Sequence, residues 1–287
     1  LQERHIDLGR MPILRKNDAN PDQPFSFTPT AWRLIEIFFA EVMGSAILLF
    51  FGCSSHILWS PDGVLHPWTG PVTFSVLVAT IIQVFGHISG SHLNPAITIN
   101  VFLLGHITQK QALVYFIAEF VGATSGYALL RWVTPCHIFD MNMERSNMTF
   151  CQTLPNPNLN DIQVIVLEFL ATGVLVLVNC GVADWRNANN GATISLKFAV
   201  TIMTVALAVG PYTGASLNPT RTLGPAMLNG NYSKVWIYFV GPFLAAVVFT
   251  FIYQVLFEKK QPTPSISPET VPLKEVTLHP SNDDEKE

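Results

Sequence analysis

The sequence contains Asn-Pro twice in matched surroundings, Ile88-Ser89-Gly90-Ser91-His92-Leu93-Asn94-Pro95-Ala96 and Tyr212-Thr213-Gly214-Ala215-Ser216-Leu217-Asn218-Pro219-Thr220. Asn is a favoured helix N-cap and Pro a favoured first helical residue, so each pair predicts a helix start. The apolar stretches that follow, Ala96 to Leu104 and Arg221 to Leu228, are too short to cross a bilayer, which takes about 20 residues. Non-helical backbone at membrane depth is tolerated only against protein or water, so the segments leading into each pair must line a cavity. One such pair would be a turn; two matched copies, one in each half of the chain, form a repeat.

Six other stretches are long enough to span: Ala31 to His56, Trp68 to Phe85, Thr108 to Val133, Ile162 to Val182, Ala192 to Val209 and Ser233 to Phe257. Three spans and one half-helix therefore occur twice, in a first repeat over 31–133 and a second over 162–257. An odd number of spans per repeat turns the second copy upside down relative to the first. The expected fold is an all-α membrane protein, six transmembrane helices plus two re-entrant half-helices in an inverted repeat. Half-helices of roughly ten residues, at about 1.5 Å rise per residue, would meet tip to tip near mid-depth. Glu41 of the first span has its counterpart in Glu168 of the fourth, and Glu119 falls where the sixth span has Pro242 or its neighbours.

Composition agrees with life in lipid: 49% of residues are hydrophobic and 13% charged, with a mean hydropathy of +0.35. A net charge of -4 offers no basic face to nucleic acid. Lys and Arg cluster in the first thirty-three residues, at Lys110, at Arg186 and Lys197, and after Phe257, which predicts that these segments and both termini are cytoplasmic. The first thirty residues, read as a cytoplasmic arm, lack an apolar core, so no cleavable signal peptide is expected. Residues 258–287, rich in Pro, Ser and acid, read as a disordered cytoplasmic tail in which Ser265 and Ser267 are candidate phosphorylation sites. Two glycosylation triplets, starting at Asn147 and Asn231, fall on the outer side. Of the four cysteines, Cys136 and Cys151 share one polar loop, where a bridge and two free thiols are both open; the spacing suggests no metal site.

A helix N-terminus carries roughly half a positive charge, so two aimed at one point repel a cation or a protonated water chain. The Asn94 and Asn218 amides can donate to one water oxygen there and interrupt proton hopping. Arg221, three residues after Asn218, lies within a membrane segment, where an ionisable residue is functional by default. It is expected to face the pore and to offer donors to a hydroxyl or carbonyl oxygen. The histidines at 5, 56, 66, 106, 137 and 279 sit in tails, span ends and connections with no nucleophile or carboxylate at useful spacing, so neither an enzyme nor a cofactor is expected.

On these residues, from Gly86 to Ala96, from Thr213 to Arg221, and the pair Glu41 and Glu168, the chain resembles the aquaporins of the major intrinsic protein family across Ala31 to Phe257. The resemblance implies four protomers in a homotetramer within a lipid bilayer, each with its own pore at the motifs Asn94-Pro95-Ala96 and Asn218-Pro219-Thr220. It implies that Glu41 and Glu168 support the re-entrant loops and that His92 stands on the pore wall. Thr220 departs from the usual Ala. Carried over by spacing, the outer constriction comprises Phe74, Ala206, Ala215 and Arg221. Water-selective members have His where this chain has Ala206, so the mouth should be wider and apolar on one side, a slot for a polyol. Ordinary glycerol channels place Asp where Thr222 stands, and Ala226 with Tyr238-Phe239 is closer to the water-type branch. That combination resembles the insect entomoglyceroporins. The function implied is passive conduction of water, glycerol first among solutes and urea second, across the plasma membrane, with protons and ions excluded; strict water selectivity or a non-conducting junctional role are the alternatives. Ala215 replaces the Cys of mercury-sensitive members, leaving Cys53 and Cys180 as secondary targets.

Overall fold

A computed structural model describes residues 29–259. Within the described residues nine α-helices follow in order: α1 Pro29–Ser54, α2 Thr69–Ser89, α3 Pro95–Leu103, α4 Gln109–Val133, α5 Cys136–Arg145, α6 Asp161–Ala183, α7 Ile194–Thr213, α8 Pro219–Asn229 and α9 Ile237–Leu256, with a 3-10 helix, Trp185–Thr193, between α6 and α7. Among the described residues no strand occurs, and six helices are long and apolar enough to cross a membrane. The remaining short pair after the Asn-Pro motifs, α3 and α8, are the half-helices. The arm before Pro29 and the tail after Lys259, with Ser265 and Ser267, lie outside the described residues.

Capping boxes start two of the spans: Thr108 with Gln111 at α4, and Asn160 with Gln163 at α6. α2 and α7 each run one turn beyond the apolar stretch, to Ser89 and Thr213, and stop at Gly90 (φ 88) and Gly214 (φ 78), a left-handed conformation natural to glycine. Close packing of α1 on α4 depends on Gly122 and Gly126, where an added Cβ would lie 2.4 Å from the Val42 carbonyl oxygen and 2.2 Å from that of Ala46. Small residues four apart let the two backbones approach, as membrane helix pairs require. The outward faces carry Phe39, Phe51, Leu113, Leu170, Leu244 and Phe251 exposed, while Glu41, Asn100, Glu119 and Glu168 are fully buried. This inside-out distribution of polarity suits a hydrocarbon solvent.

Cys151 is bridged to Cys53 at the C-terminal end of α1, with Cα atoms 5.5 Å apart, and Cys136 is an exposed free thiol. The pairing of Cys136 with Cys151 considered above is thus replaced. Its physical reason is α5, which buries Ile138, Phe139 and Met143 and exchanges two hydrogen bonds between the Asn142 amide and the backbone of Leu58, both 2.9 Å. That docking folds residues 146–151 back over α1 and leaves Cys136 at the exposed start of the helix. Peptide mapping without reductant is expected to recover Cys53 linked to Cys151, and a Cys151→Ser change to lower unfolding stability by about 2–4 kcal/mol.

Candidate functional site

The site is built by two buried carboxylates. Glu41 accepts from the backbone N–H of His92 (3.0 Å) and Leu93 (2.8 Å) and from the Ser89 hydroxyl (2.6 Å). In the other half Glu168 accepts from the N–H of Ser216 (3.0 Å) and Leu217 (2.9 Å) and from the Thr213 hydroxyl (2.6 Å). Each carboxylate thereby satisfies donors that no helix or sheet would, which is what irregular backbone needs at this depth. Phenolic hydroxyls complete the match: Tyr115 donates to the Ser89 carbonyl and Tyr238 to that of Thr213 (2.6 Å). The segments so held contain non-glycine residues at positive φ in equivalent places, Ser91 with Ala215 and Leu93 with Leu217. Strain of that kind persists only where its surroundings over-determine it.

At the centre the two asparagines exchange bonds across the repeat. Asn94 Nδ2 donates to the Leu217 carbonyl (2.8 Å), and Asn218 Nδ2 to the Leu93 carbonyl (2.7 Å). Their Oδ1 atoms cap the half-helices, accepting from Ala96 N (2.9 Å) and Thr220 N (3.0 Å) respectively. Since each oxygen is committed to its cap, each amide nitrogen must point away from it; one N–H meets the opposite loop, and among the described residues the second has no partner. Thr220 adds a donor, its hydroxyl bonding Asn218 Oδ1 at 2.8 Å, so the departure from Ala reinforces the cap. Asn94 and Asn218 line one cavity of about 1110 Å³ together with His92. The His92 ring is stacked 4.0 Å from Tyr115, and its Nδ1 is 2.9 Å from the Thr98 hydroxyl, which in turn donates to Glu119.

Phe74, Ala206, Ala215 and Arg221 line that same cavity. Arg221 Nη1 donates to the Cys151 carbonyl at 2.5 Å, and its Cζ lies 4.8 Å from the centre of the Phe74 ring. The guanidinium is thus fixed by a loop carbonyl on one side and an aromatic face on another, with donors to spare. Phe74 can lie flat on α1 because residue 52 is glycine; a Cβ there would come within 2.4 Å of the ring. Thr222 joins Thr153 and, at 2.6 Å, Ser216, so it ties the outer loop to the re-entrant segment.

A sequence profile described as Major intrinsic protein matches residues 29–253. The chain belongs to the major intrinsic protein family. It is 34% identical over 230 residues to the lens fiber major intrinsic protein of Homo sapiens, covering 78% of this chain and 81% of that one. Aquaporin-2 of Bos taurus is 31% identical over 258 residues (88% and 90% covered), and aquaporin NIP1-1 of Zea mays 31% over 271 residues (94% and 92%). The X-ray structure of the aquaglyceroporin from Plasmodium falciparum is similar with a TM-score of 0.65 and 24% identity, covering 78% of this chain and 96% of that one, which establishes the shared fold. This major intrinsic protein is accordingly a multi-pass passive membrane channel, of a family whose channels pass water and small solutes, and not an enzyme.

Two features of the site escape the sequence motifs. Cys53 is in the bridge, so it is no longer a candidate target for mercurials; Cys180 is buried, its sulfur accepting from Asn100 Nδ2 at 3.2 Å. Among the described residues the cavity is lined by no cysteine. Mercuric chloride is therefore expected to block water flux weakly in the native channel and strongly after Ala215→Cys, as read by osmotic swelling with and without reductant. The second feature is His56, which lines the cavity beside Arg221 and Phe74 although nothing in its local sequence marks it beyond its place at the end of the first span.

Proposed function

We propose that this channel conducts water and small uncharged solutes, glycerol first and urea second, while excluding protons and ions. The observation that carries the reading is the cavity wall shared by Ala206 and Ala215 with Phe74 and Arg221. Two methyl groups and a phenyl ring give an apolar side for a carbon chain, and the guanidinium gives donors for hydroxyl or carbonyl oxygens. Opposed half-helix N-termini, each with roughly half a positive charge, support exclusion of cations and of a proton wire at the paired asparagines. Of the groups whose occlusion of the pore would mark a purely junctional role, Tyr212 is half exposed and absent from the cavity lining, Phe74 forms part of that lining, and the tail lies outside the described residues.

On this reading the protein is a homotetramer of the plasma membrane with cytoplasmic termini. Asn147, exposed in a turn after α5, is the more accessible of the two candidate glycan acceptors, Asn231 being half-buried. Swelling of oocytes expressing the chain, under mannitol, glycerol and urea gradients, tests the function. Glycerol uptake well above that of uninjected cells is expected; osmotic water flux with no glycerol uptake would overturn the solute assignment.

A further inference from the structure

We propose that His56 is a further selectivity residue of the outer constriction, supplying a hydrogen-bond acceptor that faces permeating solute together with the donors of Arg221. The proposal rests on the constriction being formed at Phe74, Ala206, Ala215 and Arg221.

Beyond the main cavity lies a second one of about 630 Å³, walled by the outer loops. Four residues are common to both linings: His56, Leu65, Gly214 and Arg221. They frame the passage between vestibule and pore, and two of the four carry polar side chains. His56 lies two residues beyond the end of α1 and is half-buried. Its ring centre is 6.2 Å from that of Phe74, the ring on which Arg221 also rests. α2 makes room for it with Gly70, where a Cβ would lie 2.8 Å from His56 Nε2.

The role of each ring nitrogen follows from its partners. Nδ1 is 2.9 Å from the Gly52 carbonyl oxygen, which can only accept, so Nδ1 carries the proton. The Ser55 hydroxyl donates to that same carbonyl at 2.7 Å. A neutral imidazole protonated at Nδ1 presents Nε2 as an acceptor, and Nε2 has no partner among the described residues. Burial first, and then the charge of Arg221, hold the imidazole below its ordinary value against the pull of the Gly52 carbonyl, which keeps this form in place at neutral pH. Glycerol and urea each carry both an oxygen for Arg221 and an O–H or N–H for Nε2. Ala206 contributes no polar atom from α7, and the acceptor comes instead from the end of α1.

The Cys53–Cys151 bridge holds both halves of this pair. Cys53 lies three residues before His56, and the Cys151 carbonyl accepts from Arg221 at 2.5 Å. One covalent link therefore fastens the helix end that carries the acceptor and the loop that orients the donor.

The test compares His56→Leu, His56→Gln and His56→Trp with the native chain in stopped-flow measurements on proteoliposomes, with reconstituted protein quantified. His56→Leu is expected to lower the glycerol-to-water permeability ratio by about threefold to tenfold, the worth of one hydrogen bond in a narrow mouth, and His56→Gln, which retains an acceptor, to restore part of it. His56→Trp is expected to obstruct water and glycerol alike. A ratio unchanged in His56→Leu, or a His56→Trp channel that conducts like the native one, would overturn the proposal. Failure of the underlying solute assignment looks different: the native chain would pass water alone, and obstruction of that water by His56→Trp would still support His56 as part of the constriction.

Discussion

Replacing Ala206 by His is expected to cut glycerol permeability by about tenfold or more, equivalent to about 1.4 kcal/mol or more added to the barrier, while water continues to pass. Ala206 shares its cavity with Phe74, Ala215 and Arg221, so an imidazole built there projects into space that a three-carbon alcohol needs and a water molecule does not. It also turns the apolar side of the slot polar, removing the surface along which a carbon chain slides. The check is paired swelling of Ala206→His and native channels under mannitol and glycerol gradients, normalised to surface abundance. Equal glycerol-to-water ratios would mean that residue 206 does not limit passage.

A Glu168→Ala channel is expected to be lost from the membrane rather than altered in selectivity. Removing the carboxylate strands the N–H groups of Ser216 and Leu217 and the Thr213 hydroxyl, each bonded at 2.6–3.0 Å. Each buried donor without a partner costs about 1–3 kcal/mol, so the three together consume much of a typical folding stability of about 5–15 kcal/mol. The damage reaches the pore centre, because the Leu217 carbonyl is the acceptor for Asn94. Glu168→Gln, which keeps the shape but replaces one acceptor by a donor, should give an intermediate loss. Thermal unfolding in detergent and surface labelling measure both, and a Glu168→Ala channel of native stability would refute this role for the carboxylate.

The fold was legible because its strongest signals are local and occur twice. Asn94-Pro95 and Asn218-Pro219 carry their own capping chemistry, and the spans are long apolar runs. Span ends were less legible: α2 continues past Phe85 to Ser89 and α7 past Val209 to Thr213, because the polar last turn is stabilised by Glu41, Glu168 and the cavity rather than by its own hydropathy. α5 and the 3-10 helix could not be read from span-scale hydropathy. α5 is short and polar on average, with only Ile138, Phe139, Asn142 and Met143 buried, and the 3-10 helix is held by its own side chains bonding backbone distant in sequence, Arg186 Nη2 reaching the Phe257 carbonyl at 2.7 Å and Trp185 Nε1 that of Lys259 at 2.9 Å.

The site divides along the same line. Phe74, Ala206 and Ala215 were carried over by spacing from the aquaporin resemblance, Arg221 also from its place in a membrane segment, and all four line one cavity. The Cys53–Cys151 bridge joins residues 98 apart, and His56 reaches the mouth only because α1 ends there and Gly70 leaves space on α2. Neither depends on a motif, so neither could be found without the fold.

A pore open to a three-carbon alcohol and closed to protons is the behaviour expected of this site. Stopped-flow light scattering of the purified full chain in proteoliposomes, with a pH-sensitive dye inside, measures both on one sample. The prediction is glycerol permeability well above that of protein-free vesicles, with a proton leak no greater than theirs. Water permeability alone, or glycerol flux accompanied by proton leak, would contradict it.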